Sequence, residues 1–431
     1  MRRFDQIEHG SLTDVGVKRS HNQDSYAIQL ASEEEGWRQR GHLFLVADGM
    51  GAHAVGEKAS EQAAHVIPHV YQKHATLGAV VALRRSFVEA NATIHACGQQ
   101  NREFLGMGTT GTALVLRADG AWVGHVGDSR CYRIRGTVIE QLSYDHSLVW
   151  EYARLQHMDP DEVEDIPSNV IHRCLGPEPL VQVDIEGPHP IEAGDIYLLC
   201  SDGLSGQVSD PEIGAVASVL PPSEACRFLV DLANLRGGPD NTTVIIVRVL
   251  SGEAGEATGT AVPKPKFPRP PWWVLSLLGA TALAVGATLL HQAELPSLAI
   301  ALFLAAVGAV IAGVVGLFLH YQKEQKRQAN EDENRPAPKT HRRRVCKIEK
   351  PLLDRLIRAL KTLQQRATEG TWQVDWDLCK EHQAAGEERV RANDSPGAFR
   401  EYCRAMLPLM RAFHDRRGGG GGFSPVWDKT R

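Results

Sequence analysis

The sequence predicts an α+β domain, followed by a paired apolar segment and a small helical region. Three observations predict it. Apolar runs four to six residues long, such as Leu43-Phe44-Leu45-Val46 and Ile196-Tyr197-Leu198-Leu199-Cys200, recur through the first 250 residues and read as buried strands. Helix-like stretches come in pairs between groups of strands, so the pattern is not one of alternating βαβ units. Beyond residue 250 the composition changes sharply, first to a linker and then to uncharged segments.

Met1 to Gln6 lacks an apolar core, so no cleavable signal peptide is visible. In chain order, strands are expected at His42–Val46, Thr112–Leu116, Ala121–Val126, Cys131–Ile134, Val181–Ile185, Ile196–Cys200 and Thr242–Val247. Helices are expected over Glu57–Lys73, Gly78–Cys97 and Ser223–Leu235, and Asp145-His146-Ser147 opens another, with Asp145 or Ser147 suited to cap it. Residues 1–250 thus form one domain. Residues 251–271, rich in Gly, Ala, Pro and Thr, read as a linker that is flexible first and then stiff. Residues 272–319 read as a transmembrane hairpin, since 272–290 and 298–319 carry no charge and a bilayer takes about 20 apolar residues to cross. Lys264, Lys266 and Arg269 precede it and Lys323, Lys326 and Arg327 follow, which places both termini in the cytoplasm and the hairpin in a bacterial inner membrane. Residues 320–351 read as a basic polar linker whose Arg342-Arg343-Arg344 run holds anionic lipid. Leu352, Leu353, Leu356, Ile357, Leu360 and Leu363 recur at helical spacing, so 352–417 is a helical region, and 418–431 is a glycine-rich disordered tail.

The net charge of −5 gives no reason to expect a nucleic-acid partner. Eight cysteines without a CxxC pair suit small buried hydrophobes in a reducing compartment better than a disulfide frame.

The chemistry concentrates in acids beside glycine at the ends of strands. Asp48 and Gly49 end the first apolar run, Asp202 follows the run ending at Cys200, and Asp240 precedes Thr242–Val247. If these ends converge, the acids repel one another and need a cation. Oxygen donors of this kind select Mg²⁺ or Mn²⁺. Arg19, five residues before Asp24, has the side chain best shaped to hold a phosphoryl group. Gly127-Asp128-Ser129-Arg130 sets another acid at a strand turn, with a cation that more often holds an acid than binds substrate. Singly, each segment has an ordinary reading as a turn or cap.

Together, the run Arg-x-x-x-Gln-Asp, Asp-Gly-Met-Gly, Gly-Thr-Thr, Val-Gly-Asp-Ser-Arg, Asp-His-Ser, Leu-Gly, Cys-Ser-Asp-Gly-Leu and Asp-Asn-Thr-Thr resembles the PPM (type 2C) metal-dependent protein phosphatases over about residues 8 to 250. The resemblance implies a four-layer αββα sandwich, two antiparallel sheets flanked by helices, with two divalent cations (Mn²⁺ or Mg²⁺) at one edge. It implies that Asp48 bridges both cations, that the Gly49 carbonyl ligates one, and that Asp202 and Asp240 complete the set. Arg19 would grip the substrate phosphate, Asp24 would orient metal-bound water or Arg19, and Asp128 would share a third, weaker cation with Asp202. A hydroxide between the cations would then attack phosphorus directly. A thiolate phosphatase is excluded, since no cysteine has an arginine six residues later, and no Gly-Lys-Ser/Thr phosphate loop supports an NTPase. The chain departs from the pattern at Ala52, where a glycine is usual, at Gln23, where glutamate is usual, and at Met50, where other members carry a histidine; His53 and His146 are neighbouring candidates for acid work.

The leading expectation is a membrane-anchored phosphatase acting on phosphoserine and phosphothreonine in proteins, opposing a Ser/Thr kinase, with lipid as a further partner. The competing expectations are a catalytically weak phosphatase-like sensor or scaffold, and a transducer controlled by its hairpin or C-terminal helices.

Overall fold

The strands are apolar without interruption because both of their faces are covered. In β-structure successive side chains point to opposite faces. Val244 and Ile246 lie in a core shared with helices, while Ile245 and Val247, between and after them, lie in a core shared with another sheet. Leu198 and Cys200 alternate in the same way with Tyr197 and Leu199, and Leu43 and Leu45 with Phe44 and Val46. Full burial of one such side chain is worth about 1.5–3 kcal/mol.

The computed structural model describes residues 7–51, 54–100, 102–104, 106–163, 166–167, 170–250 and 340–417, with scattered positions between 288 and 312. The chain divides into two units, Met1–Gly255 with Ala337–Arg431, and Glu256–Pro336. In the first unit the strands are β1 (Ile7–Asp14), β2 (Asp24–Gln29), β3 (His42–Met50), β4 (Gly108–Thr109), β5 (Gly111–Arg117), β6 (Gly120–Val126), β7 (Arg130–Arg135), β8 (Val138–Gln141), β9 (Asp184–His189), β10 (Ile196–Cys200), β11 (Thr242–Val249) and β12 (Arg342–Val345). The helices are α1 (Glu34–Gln39), α2 (Ala54–His74), α3 (Ala79–Gln100), α4 (Leu148–Gln156), α5 (Asp202–Ser205), α6 (Asp210–Val219), α7 (Pro222–Leu235), α8 (Lys350–Glu369), α9 (Trp376–Arg391) and α10 (Ser395–Arg417).

One sheet runs β1-β11-β10-β7-β8-β12 and the other β2-β3-β5-β6-β9, with β4 beside β3; every pairing is antiparallel. The sheets share the core that holds Phe44, Leu114, Tyr197 and Ile245. Helices α2 and α3 cover the outer face of the second sheet, where Ile67, Leu83 and Phe87 meet Leu45 and Ala113. Helices α6 and α7 cover the first, where Ile213, Phe228 and Leu229 meet Leu198 and Ile246. This is the expected αββα layering. The strand expected at Val181–Ile185 starts later, as β9, because pairing with β6 begins at Asp184 opposite His125.

The C-terminal region belongs to the same unit. Leu352, Leu353, Leu356, Leu360 and Leu363 of α8, with Phe399, Cys403, Met406 and Met410 of α10, join the core of α6 and α7. Arg404 of α10 donates to Glu224 of α7 at 3.0 Å.

The membrane placement is overturned. Among the described residues no helix is long and apolar enough to cross a membrane. Within 272–319 the described residues are scattered helical positions between 288 and 312. The rest of 272–290 and 298–319 lies outside the described residues, as do the 251–271 linker and the 418–431 tail. A multi-pass membrane protein is therefore not supported. The lipid-holding role given to the basic run meets a separate physical objection. Arg342-Arg343-Arg344 forms strand β12 on the edge of β8, and Arg342 and Arg344 pair with Asp161 and Asp159 of the same unit.

Candidate metal centre

Five acids reach one edge of the sandwich because five strand ends do. Asp48 ends β3 directly opposite Asp24, which starts β2. Cys200 of β10 pairs with Val244 of β11, so Asp202, opening α5, and Asp240, just before β11, leave adjacent strands on the same side. Asp128 occupies the turn from β6 to β7. The strand ends are fixed by a polar lattice. The Asp48 amide donates to Thr110 Oγ1 at 2.9 Å, and the Thr110 hydroxyl lies 2.7 Å from that of Ser129, beside Asp128. Asn241 ties the Asp240 turn to the first loop, accepting from the Gln23 amide at 2.8 Å and donating to the Val15 and His21 carbonyls.

The acids are buried and feel one another. Burial holds the Asp48 carboxyl well above the usual range, and the charges of Asp24, Asp202, Asp128 and Asp240 push the same way. Asp128 is raised by burial and then by Asp202 and Asp145, with Arg130 opposing. Asp202 is raised by burial and by Asp240, against a hydrogen bond with Asp48 and the more distant charges of Arg130 and Arg19. Asp24 is pushed up to about 7, chiefly by burial, although Ser201 and Thr243 both donate to its Oδ2 at 2.7 Å.

Such a cluster calls for positive charge. Among the described residues, no group of three or more His, Cys, Asp and Glu side chains is already gathered tightly enough to hold a metal ion. The fit to a cation rests instead on the donors. Oδ1 of Asp202 and Oδ1 of Asp24 are buried without a hydrogen-bond partner, a costly condition for an acceptor. All the donors are oxygens, which suits hard divalent ions. Gly49 has room only for hydrogen, since a Cβ there would collide with the Gly56 and Gln23 carbonyl oxygens. The structure therefore brings Asp24, Asp48, Gly49, Asp128, Asp202 and Asp240 to one place.

Arg19 is at the rim. Its Nη2 donates to Asp240 Oδ2 at 2.8 Å with half of its side chain exposed. A pair this exposed is worth about 0.2–1 kcal/mol, so Arg19 is readily exchanged onto a ligand. Asp24 contacts neither Arg19 nor bulk water; it is held by Ser201 and Thr243. These two hydroxyls sit inside the Cys-Ser-Asp-Gly and Asp-Asn-Thr-Thr segments, but nothing in sequence alone singles them out. Arg130 donates to Asp145 at 2.8 Å and to Tyr132 at 3.0 Å, so it braces the turn without binding Asp128. His146 is a structural residue. Its amide donates to the Gly127 carbonyl at 2.7 Å, its Nδ1 accepts from the Gly127 amide at 2.9 Å, and burial lowers its pKa. His53 lies outside the described residues.

Comparison with known proteins agrees with this geometry. The protein phosphatase 2C family matches residues 17–229. The protein phosphatase PhpP of Streptococcus pneumoniae is 37% identical over 256 residues, covering 58% of this chain and all of PhpP. The serine/threonine phosphatase stp of Listeria monocytogenes is 33% identical over 241 residues, 54% of this chain and 93% of stp. The crystal structure of the Mycobacterium tuberculosis serine/threonine phosphatase PstP/Ppp superposes with a TM-score of 0.51 at 30% identity, covering 57% of this chain and 100% of that one. By these matches, and with two antiparallel sheets flanked by helices, this chain belongs to the protein phosphatase 2C family of serine/threonine phosphatases.

Proposed function

We propose that residues 1–250 form the catalytic part of a phosphatase that hydrolyses phosphoserine and phosphothreonine in proteins and opposes a Ser/Thr kinase. Asp48, the Gly49 carbonyl, Asp202 and Asp240 would hold a pair of Mn²⁺ or Mg²⁺ ions, and Asp128 with Asp202 a third, weaker one. Bound there, the ions supply Lewis acidity and a water acidified to near neutral pH. The protein's own residues do the rest. Arg19 leaves Asp240 and takes the phosphoryl oxygens, neutralising charge that grows in the transition state. The release of Asp240 frees its carboxylate for a cation. Ser201 and Thr243 keep Asp24 oriented towards Asp202 and Asp240. Thr110 and Asn241 hold the two outer strand ends still, which preserves the reacting geometry.

The observation that carries this reading is the buried cluster of like charges, with orphaned oxygens on Asp24 and Asp202. Hydrolysis of a phosphothreonine peptide, with and without Mn²⁺, tests it. Activity is expected to require the metal and to vanish in Asp202→Ala. If wild type and variant are equally inert while the peptide still binds, the protein is a phosphopeptide-binding scaffold.

A further inference from the structure

The C-terminal strand β12 is physically tied to the turn that carries Asp128, and by two routes. The first route is ionic. Arg342 Nε lies 3.4 Å from Asp210 Oδ2, and the other oxygen of Asp210 accepts from Tyr132 at 2.9 Å and lies 3.8 Å from Arg130 Nη1. Arg130 in turn fixes Asp145 at 2.8 Å. Asp210 is almost fully buried, so its charge is answered by one cation from each side. Arg130 is two residues from Asp128, and Arg342 comes from more than two hundred residues further along the chain. The second route runs through rings. His341 packs edge-on against Tyr144 at 5.5 Å, and Tyr144 lies 6.3 Å from His146, whose amide and Nδ1 both bond the backbone of Gly127.

The same strand also grips the segment that follows α4. Arg342 pairs with Asp161, Arg344 pairs with Asp159 and lies 3.6 Å from Asp161; Asp159 caps the short turn Pro160–Glu162 and Asp161 is its middle residue. Two features of the catalytic half are shaped for this docking. Gly214 of α6 leaves the space that Cys346 fills, since a Cβ there would lie 2.6 Å from the Cys346 Cβ. The Cys346 amide donates to the Thr137 carbonyl at 2.8 Å and the His341 amide to the Gln141 carbonyl at 2.9 Å, which seats the strand at both ends.

We propose that Arg342 and Arg344 are positioning residues for the metal centre: by bracing Asp210 with Arg130 and clasping Asp159 and Asp161, the C-terminal strand holds the Asp128 turn where its carboxylate serves the outer cation. This rests on Asp128 acting as the outer ligand, as read above. The residues after 340 therefore set how much metal the site needs, while the inner pair of ions does not depend on them.

The test uses the full chain in three forms: wild type, Arg342→Ala with Arg344→Ala, and Asp159→Asn with Asp161→Asn. The acids of the third form lie on the outer face of the clasp, with Asp161 63% exposed, so that form folds even where loss of Arg342 strains the core. Hydrogen exchange is measured over 126–163, and Mn²⁺ binding by calorimetry. In both variants exchange is expected to rise across 126–163, and the weakest Mn²⁺-binding step to weaken roughly five- to tenfold, the lower range for coupled sites, with the tighter steps unmoved. Arg342→Lys with Arg344→Lys is expected to keep part of the wild-type behaviour, since a cation still faces Asp210 and the two acids. Unchanged exchange and an unchanged weakest step in both variants overturn the proposal. Neither readout needs turnover, so a wild-type protein that hydrolyses nothing refutes the phosphatase reading and leaves this judgement intact.

Discussion

Asp202 carries two opposed duties. Without a cation it is one more like charge in a buried cluster, and under the proposed function it becomes a ligand once a cation binds. Asp202→Asn should therefore melt higher than wild type in chelator, because repulsion with Asp240 is relieved. In Mn²⁺ the order should invert, with turnover at least about 10²-fold lower; paired calorimetric melts and a phosphopeptide assay report both. Asp24 supplies the pH dependence. Its folded pKa of about 7 lies above the ordinary aspartate value of 3.8, so the folded chain keeps a proton that the unfolded chain releases. Stability from this group is fully present below about 4, falls as pH rises to about 7, and is flat beyond. Melts in chelator between pH 4 and 8 should show this slope, and saturating Mn²⁺ should flatten it. Arg19→Ala should cut turnover by roughly 10²-fold without weakening Mn²⁺ binding, since it releases the Asp240 carboxylate that Arg19 otherwise occupies.

At the scale of elements, the alternation along β3, β10 and β11 explains what was legible. Runs buried on both faces announce themselves, so these strands and α2, α3 and α7 were readable from residue type, whereas the αββα layering was implied only by the family resemblance. Strands β1 and β2 were not, because Ile7–Asp14 and Asp24–Gln29 lie at sheet edges and mix polar with apolar residues. The acids of the site were readable because Asp beside Gly at a strand end is visible locally. Ser201, Thr243 and Asn241 were not, since their roles depend on partners more than two hundred residues away or across a sheet edge. Nor was Arg236 readable, since its partner depends on how two helices pack: from the end of α7 it grips Glu212 of α6 with two bonds of 2.8 and 2.9 Å and holds its carboxyl down to about 2. Arg236→Ala leaves that acid without its cation, held only by Ser209, and should cost about 3–5 kcal/mol, read from urea unfolding.

For the whole molecule, the decisive feature is that the C-terminal helices complete an outer layer. The heptad-like leucines of α8 predicted a helix but named no partner, and the arginines before them looked like a solvated run because charge alone does not reveal a waiting acid. Leu363→Ala, at a fully buried position, should cost about 2–5 kcal/mol and lower a single melting transition that also reports the catalytic layers. Removing residues from 337 onward should expose the outer faces of α6 and α7 and lower the melting point of what is left, whereas a tethered independent domain would leave it unchanged.

The polypeptide leaves this unit at Gly255 and comes back at Ala337. Its two parts share one apolar core, in which α6 and α7 meet α8 and α10. The covalent link is thus the minor part of what keeps the ends together. Produced as two separate polypeptides, Met1–Gly255 and Ala337–Arg431 should find each other in solution and reconstitute the fold, and such a split pair would make the phosphatase's assembly tunable by concentration.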